Sequence, residues 1–147
     1  MKHLLTLLLF ISTSVMGENF RLVCEGSEKT FFDSNYPTMV VDKVIDIEVT
    51  DDFIKVENRL IDNHISSDNT RKKLGRFFTN SYKKTTDLIE FSSSHSKVDD
   101  DRSGSSYVGT INRLTAEITI TSGGSFARLR NSMHIFTGTC KKTERAF

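Results

Sequence analysis

"TMVVDKVIDIEVTDDFIKVEN", residues 38–58, decides the fold. Val41, Lys43, Ile45, Ile47 and Val49 share one parity, and a period of two is the signature of a half-buried strand. Interior aspartates and β-branched side chains both work against a helix here. Asp51 and Asp52 then form a turn into "FIKVEN", where Phe53, Lys55 and Glu57 oppose Ile54 and Val56. Two strands and a tight turn make a hairpin.

The same pattern recurs along the chain. "NFRLVCE" (19–25) alternates, and "EKTFFD" follows after Gly26 and Ser27, which read as a break. Further strands are "DLIEFSSS" (87–94), "SYVGTINRL" (106–114), "AEITITS" (116–122) and "MHIFTGTC" (133–140), with "SGGS" (122–125) read as a turn. Arg113 to Ala116 make a tight turn between two of them. Short strands at close spacing, with a single proline, predict an all-β fold: one antiparallel β-barrel or sandwich of seven to eight strands. Residues 62–84 carry little alternation and are read as irregular, with a short helical turn at 69–74.

The ends of the chain add topology. Residues 1–17 combine a basic start, an apolar run at 4–11 and a small, polar close, which is the pattern of a secretory signal. That run is far shorter than the about 20 residues needed to span a bilayer. The expected organisation is a signal peptide at 1–17 and a single β domain at 18–147, periplasmic or secreted, with no transmembrane helix in the mature form. The two cysteines, Cys24 and Cys140, then read as a disulfide joining the first and last strands. A closed meander satisfies that bond and also protects the sheet edges.

Charge narrows the partners. Without the leader, 19 basic groups balance 19 acidic ones, so nothing steers the whole molecule toward nucleic acid. The distribution is uneven: residues 18–57 hold ten acids and four bases, whereas 71–84 hold six bases and no acid. Arg71, Lys72, Lys73, Arg76, Lys83 and Lys84, interleaved with Phe77, Phe78 and Tyr82, form a candidate anion-binding segment. The partner class this suggests is an anionic envelope component or a protein.

Two short motifs are candidates for chemistry. In "VDDDRSGSSYVGT" (98–110), Asp99, Asp101, Ser103 and Gly104 occupy the first, third, fifth and sixth positions of a calcium loop. Thr110 stands where the bidentate glutamate belongs, so the stretch reads as a polar loop and only a weak metal candidate. The histidines His64, His95 and His134 lack ligand spacing, and no nucleophile elbow or phosphate loop is present. The expectation is a non-enzymatic binding or structural domain without a cofactor, with a hydrolase of unknown type as an alternative.

"SGSSY" (103–107) resembles the Ser-Gly-x-x-Tyr motif of periplasmic C-type lysozyme inhibitors, which are small exported barrels with a disulfide. The resemblance implies an inhibitory loop carrying Ser103 and Tyr107. The family's second motif has a lysine before a glycine, where "ITITSGG" here has Ser122. "CEG", "INRLTAEI" and "FTGTC" also resemble a plan found among small uncharacterised exported bacterial β-proteins with a terminal disulfide. That second likeness implies architecture and compartment and no activity. Ala116 replaces the plan's turn glycine, and alanine at positive φ costs about 1 kcal/mol, which leaves that turn's geometry open.

Overall fold

A computed structural model of the chain describes residues 19–32, 39–63, 76–97, 100–126 and 129–143. The expected leader at 1–17 and the expected helical turn at 69–74 lie outside them. Among the described residues nine antiparallel strands form one sheet: β1 (Phe20–Phe32), β2 (Met39–Val49), β3 (Phe53–Val56), β4 (Arg59–Asp62), β5 (Arg76–Lys84), β6 (Leu88–Lys97), β7 (Asp100–Asn112), β8 (Glu117–Phe126) and β9 (Leu129–Thr143). Their spatial order is β4-β3-β2-β1-β9-β8-β7-β6-β5, an up-and-down meander whose first and last strands lie side by side. The sheet curls into a nearly closed barrel.

Closure is made at two places by two different bonds. Cys24 and Cys140 are direct partners in the β1/β9 register and are joined as a disulfide across it. At the opposite side of the barrel, where β4 and β5 are the two ends of the sheet order, one side chain spans the seam. The Asn63 amide donates to the Tyr82 carbonyl at 2.6 Å and accepts from the Tyr82 N–H at 2.7 Å. A single asparagine thus mimics a strand partner and satisfies two backbone groups of an otherwise open edge.

Glycine and serine misled the segmentation. Gly26 and Ser27 lie inside β1, which runs unbroken from Phe20 to Phe32. Gly26 faces Gly138, and a Cβ on either would collide with the opposing backbone, so these glycines serve close approach of β1 to β9. "SGGS" likewise continues β8 to Phe126. The serine stretches at 92–96 and 103–106 lie within β6 and β7. They pair side by side: Ser94 faces Ser106, which faces Gly123, which faces Met133. Small residues were read as loop because they carry no apolar alternation; here they are strand residues whose neighbours supply the packing. Nine strands are described, because β5 forms within the stretch read as irregular, β4 follows the predicted 53–58 strand where none was read, and β1 fuses two predicted pieces.

The apolar core fills the half of the barrel nearest the disulfide. Ile45, Ile47, Ile54, Ile61, Ile111 and Phe136 are buried there, each on the inward parity of its strand. Each such side chain stabilises the fold by about 1.5–3 kcal/mol. Gly109 makes room for the Phe91 ring, which lies where a Cβ would otherwise sit.

Candidate functional site: a polar row across six strands

Register determines which inward side chains meet. One row of direct partners reads Tyr82, Phe91, Gly109, Ile120 and Phe136 across β5, β6, β7, β8 and β9. It is apolar apart from the Tyr82 hydroxyl, which donates to the Thr50 carbonyl at 2.6 Å. Two residues further from the disulfide, the next row reads Asn80, Ser93, Tyr107, Ser122, His134 and Thr30, the last on β1. All six have polar groups and are inward-facing and at least partly buried. Across β5 to β9 the interior changes from apolar to polar within one step of the pleat, whereas on β1 and β2 the charged Glu28 and Lys43 already lie in rows nearer the disulfide.

The charged groups around this row are tied to one another. The Lys43 ammonium lies 3.0 Å from the Glu28 carboxylate and 3.8 Å from that of Glu57. Thr30 Oγ1 lies 3.0 Å from His134 Nδ1, and the Glu28 carboxylate lies 3.8 Å from the same nitrogen. A hydrolytic relay needs the nucleophile on one ring nitrogen and the acid on the other. Thr30 and Glu28 share one nitrogen, so this trio orients an imidazole without forming that relay. Ser105 Oγ sits 2.8 Å from His95 Nδ1, and Phe78 stacks on the His95 ring at 5.8 Å.

The β3–β4 turn leans over this end. Arg59 places its guanidinium 4.5 Å from the centre of the Tyr107 ring, a cation–π contact. With Val56, Glu57 and Asn58 these two line an open hollow of about 570 Å³. Glu57 has φ 53°, in the left-handed region where glycine is favoured, and its N–H is fixed by the Asp46 carbonyl at 2.8 Å. The strained turn keeps the Glu57 carboxylate in reach of Lys43. Burial pushes the Tyr107 phenol up to about 12; the Glu57 charge adds to the rise, Arg59 works against it, and Glu28 adds a little more. Burial likewise pushes Tyr82 up to about 12, helped by Asp51 and opposed by Arg113, with Asp52 adding a smaller rise.

The predicted site residues fare unevenly. Tyr107 does not stand on an outer loop: its ring faces the interior against Phe91, at a centroid distance of 6.2 Å. Ser103 falls in the irregular part of β7, where Ser96 faces Gly104 but Lys97 faces Asp100. Asp101 lies in the same irregularity, so the stretch read as a polar loop is a strand with a bulge from Asp100 onward. Asp99 lies outside the described residues. Among the described residues no group of three His, Cys, Asp or Glu side chains could hold a metal ion.

In the basic segment, Arg71, Lys72 and Lys73 lie outside the described residues, and Arg76 opens β5. Lys83 and Lys84 take opposite faces of β5: Lys83 is exposed with Glu90 as its register partner, and Lys84 turns inward to Asp51 at 2.7 Å. Tyr82, read as a ring for a partner, is a core residue.

Sequence reading missed Glu28, Lys43, Arg59 and the row itself. A signal for one was present: Lys43 shares parity with Ile45, Ile47 and Val49, an ion on the apolar face of a strand. No protein-family model matches the chain, and no curated protein matches it either.

Proposed function

We propose that the protein is an exported, non-enzymatic binding domain, acting in the periplasm or the surrounding medium, that takes a polar ligand at the polar end of its barrel. The observation that carries this reading is the row Asn80, Ser93, Tyr107, Ser122, His134 and Thr30, one inward polar residue from each of six strands. Inward positions of a small barrel are normally filled by apolar side chains, or they line a ligand cavity. Replacing six such positions by hydroxyl, amide, phenol and imidazole groups forfeits apolar burial and supplies donors and acceptors. Arg59 and Lys43 add positive charge, and Glu28 and Glu57 add negative charge, at the same mouth. The ligand that fits is polar, with hydroxyls and at least one acid group, such as a soluble saccharide–peptide fragment of the cell envelope. The secretory pattern of residues 1–17 and the disulfide support work outside the cytoplasm.

Amide NMR of the oxidised protein, titrated with soluble peptidoglycan fragments and separately with C-type lysozyme, tests this. Saturable shifts at Ser105, Tyr107, Ser122 and His134, weakened about tenfold in Arg59→Ala, are expected for the fragments. Fragment binding that leaves those amides unmoved, or no binding at all, overturns the polar-end reading. Shifts with lysozyme alone, together with lost lysozyme activity, would replace it by the inhibitor reading.

A further inference from the structure

The opposite end of the barrel holds a second candidate site. Phe20 is the first inward residue of β1, and three cationic groups from distant parts of the chain surround its ring. Lys142 Nζ lies 5.6 Å from the ring centre, and Lys84 Nζ and the Arg113 guanidinium carbon each lie 5.7 Å from it. Beside the ring is a pocket of about 220 Å³, lined among others by Phe20, Leu22, Ile89, Ile111, Arg113 and Lys142. Leu22, Ile89 and Ile111 are buried, so the floor is apolar while the rim is cationic.

The cations around the Phe20 ring are differently engaged, and of them Arg113 and Lys142 line the pocket. Lys84 is paired with Asp51 at 2.7 Å. Arg113 Nη1 donates to the Thr85 carbonyl at 2.6 Å, a bond that orients the guanidinium without neutralising it. A planar guanidinium is suited to a carboxylate because its parallel N–H groups match the two oxygens. The volume is below the about 300–1,000 Å³ of pockets that take drug-sized ligands.

We infer that this pocket binds a small monocarboxylate with a short apolar arm, the carboxylate held between Arg113 and Lys142 and the arm laid over Leu22, Ile89 and Ile111. The site is independent of the polar end and stands or falls separately from it.

Methyl and amide NMR of the oxidised protein distinguishes charge from arm by three probes: hexanoate, acetate and hexanol. Hexanoate should shift the methyls of Leu22, Ile89 and Ile111 saturably, with a Kd about tenfold or more below those of acetate and hexanol. Lys142→Gln should weaken hexanoate about tenfold and leave hexanol unchanged. Arg113→Gln should do the same; because Arg113 also braces a turn, Lys142→Glu is the second variant, and it should abolish hexanoate binding with amide dispersion retained. Hexanol binding as tightly as hexanoate, acetate matching it, unmoved floor methyls, or full hexanoate affinity in Lys142→Glu would each overturn the assignment. Shifts here without shifts at Tyr107 and Ser122 leave the polar-end reading untouched.

Discussion

At its disulfide end the barrel is held by local bonds as well as by its core; at the other end its interior is polar. Among the described residues, the three tight turns at the disulfide end are each fixed by a side chain. Thr50 Oγ1 accepts from the N–H groups of Asp52 and Phe53 and donates to the Phe53 carbonyl. Thr85 Oγ1 makes the same pair of bonds to Leu88, and Asn112 Oδ1 accepts from Leu114 and Thr115. Above them sit the disulfide and the isoleucine core. At the polar end, hydroxyls and ions line the wall, and a charged residue occupies a left-handed turn position. The difference teaches a division of labour: apolar burial and braced turns hold the sheet at one end, so the other end can carry polar inward positions without losing the fold, which is what the proposed binding role requires.

The largest expected effects lie at the disulfide end. Replacing both cysteines, Cys24→Ser with Cys140→Ser, removes a link across 116 residues and should cost about 4–5 kcal/mol on the chain-entropy account. Urea denaturation of the variant and parent measures it, and a loss under about 1 kcal/mol would mean the bond does not govern closure. Core and polar row can then be set against each other directly. Phe136→Ala should cost about 3–5 kcal/mol. Ser122→Ala, one strand away in the adjacent row, should change stability by less than about 0.5 kcal/mol. Equal losses at the two positions would erase the contrast between the rows.

The seam gives an intermediate effect. Asn63→Ala leaves the N–H and carbonyl of Tyr82 without their side-chain partner and should cost about 1–3 kcal/mol. Amide hydrogen exchange at Tyr82 should accelerate correspondingly; unchanged protection would show that the asparagine does not close the seam.

Alkaline titration probes both ends at once. Tyr82 and Tyr107 ionise at about 12 in the folded protein and near 10 when unfolded. Above pH 10 the unfolded chain has therefore lost protons that the native state retains, so stability should be unaffected below about pH 10 and fall between about 10 and 12. Tyr82→Phe and Tyr107→Phe should each flatten that fall, as followed by circular dichroism. Variants with the parent's pH dependence would show that neither phenol is shifted.

The smallest effects concern the two left-handed residues. Ala116 has φ 60°, so the turn keeps the geometry that glycine would favour despite lacking one; its carbonyl accepts from the Cys140 N–H at 2.8 Å. Ala116→Gly should gain about 0.5–1 kcal/mol. Glu57→Gly should gain a similar amount while weakening ligand binding at the polar end, since it deletes the carboxylate facing Lys43. A gain in stability with binding intact would assign Glu57 no part in recognition.

Much of the architecture was legible because alternation is a local property. Residues 38–58 announce β2, β3 and the turn between them, and the two cysteines announce the closure of β1 on β9. Glycine and serine were the failures: Gly26, Gly123 and Gly124 are strand residues whose role is set by an opposing strand far away in sequence. The Tyr107 ring was placed on an outer loop through the Ser-Gly-x-x-Tyr resemblance, yet its parity with Gly109 and Ile111 turns it inward. Parity alone would also have flagged Lys43.

By itself, then, the sequence determined the strand class and the pairing of the cysteines, because each depends on the order of residues along one segment or on composition. Only the tertiary structure decided that Asn80, Ser93, Tyr107, Ser122, His134 and Thr30 form one row, and that Lys84, Arg113 and Lys142 surround one ring. The physical reason is register: hydrogen bonding between strands fixes which side chains are neighbours across the barrel, and a shift of one residue in any strand would turn its contribution outward.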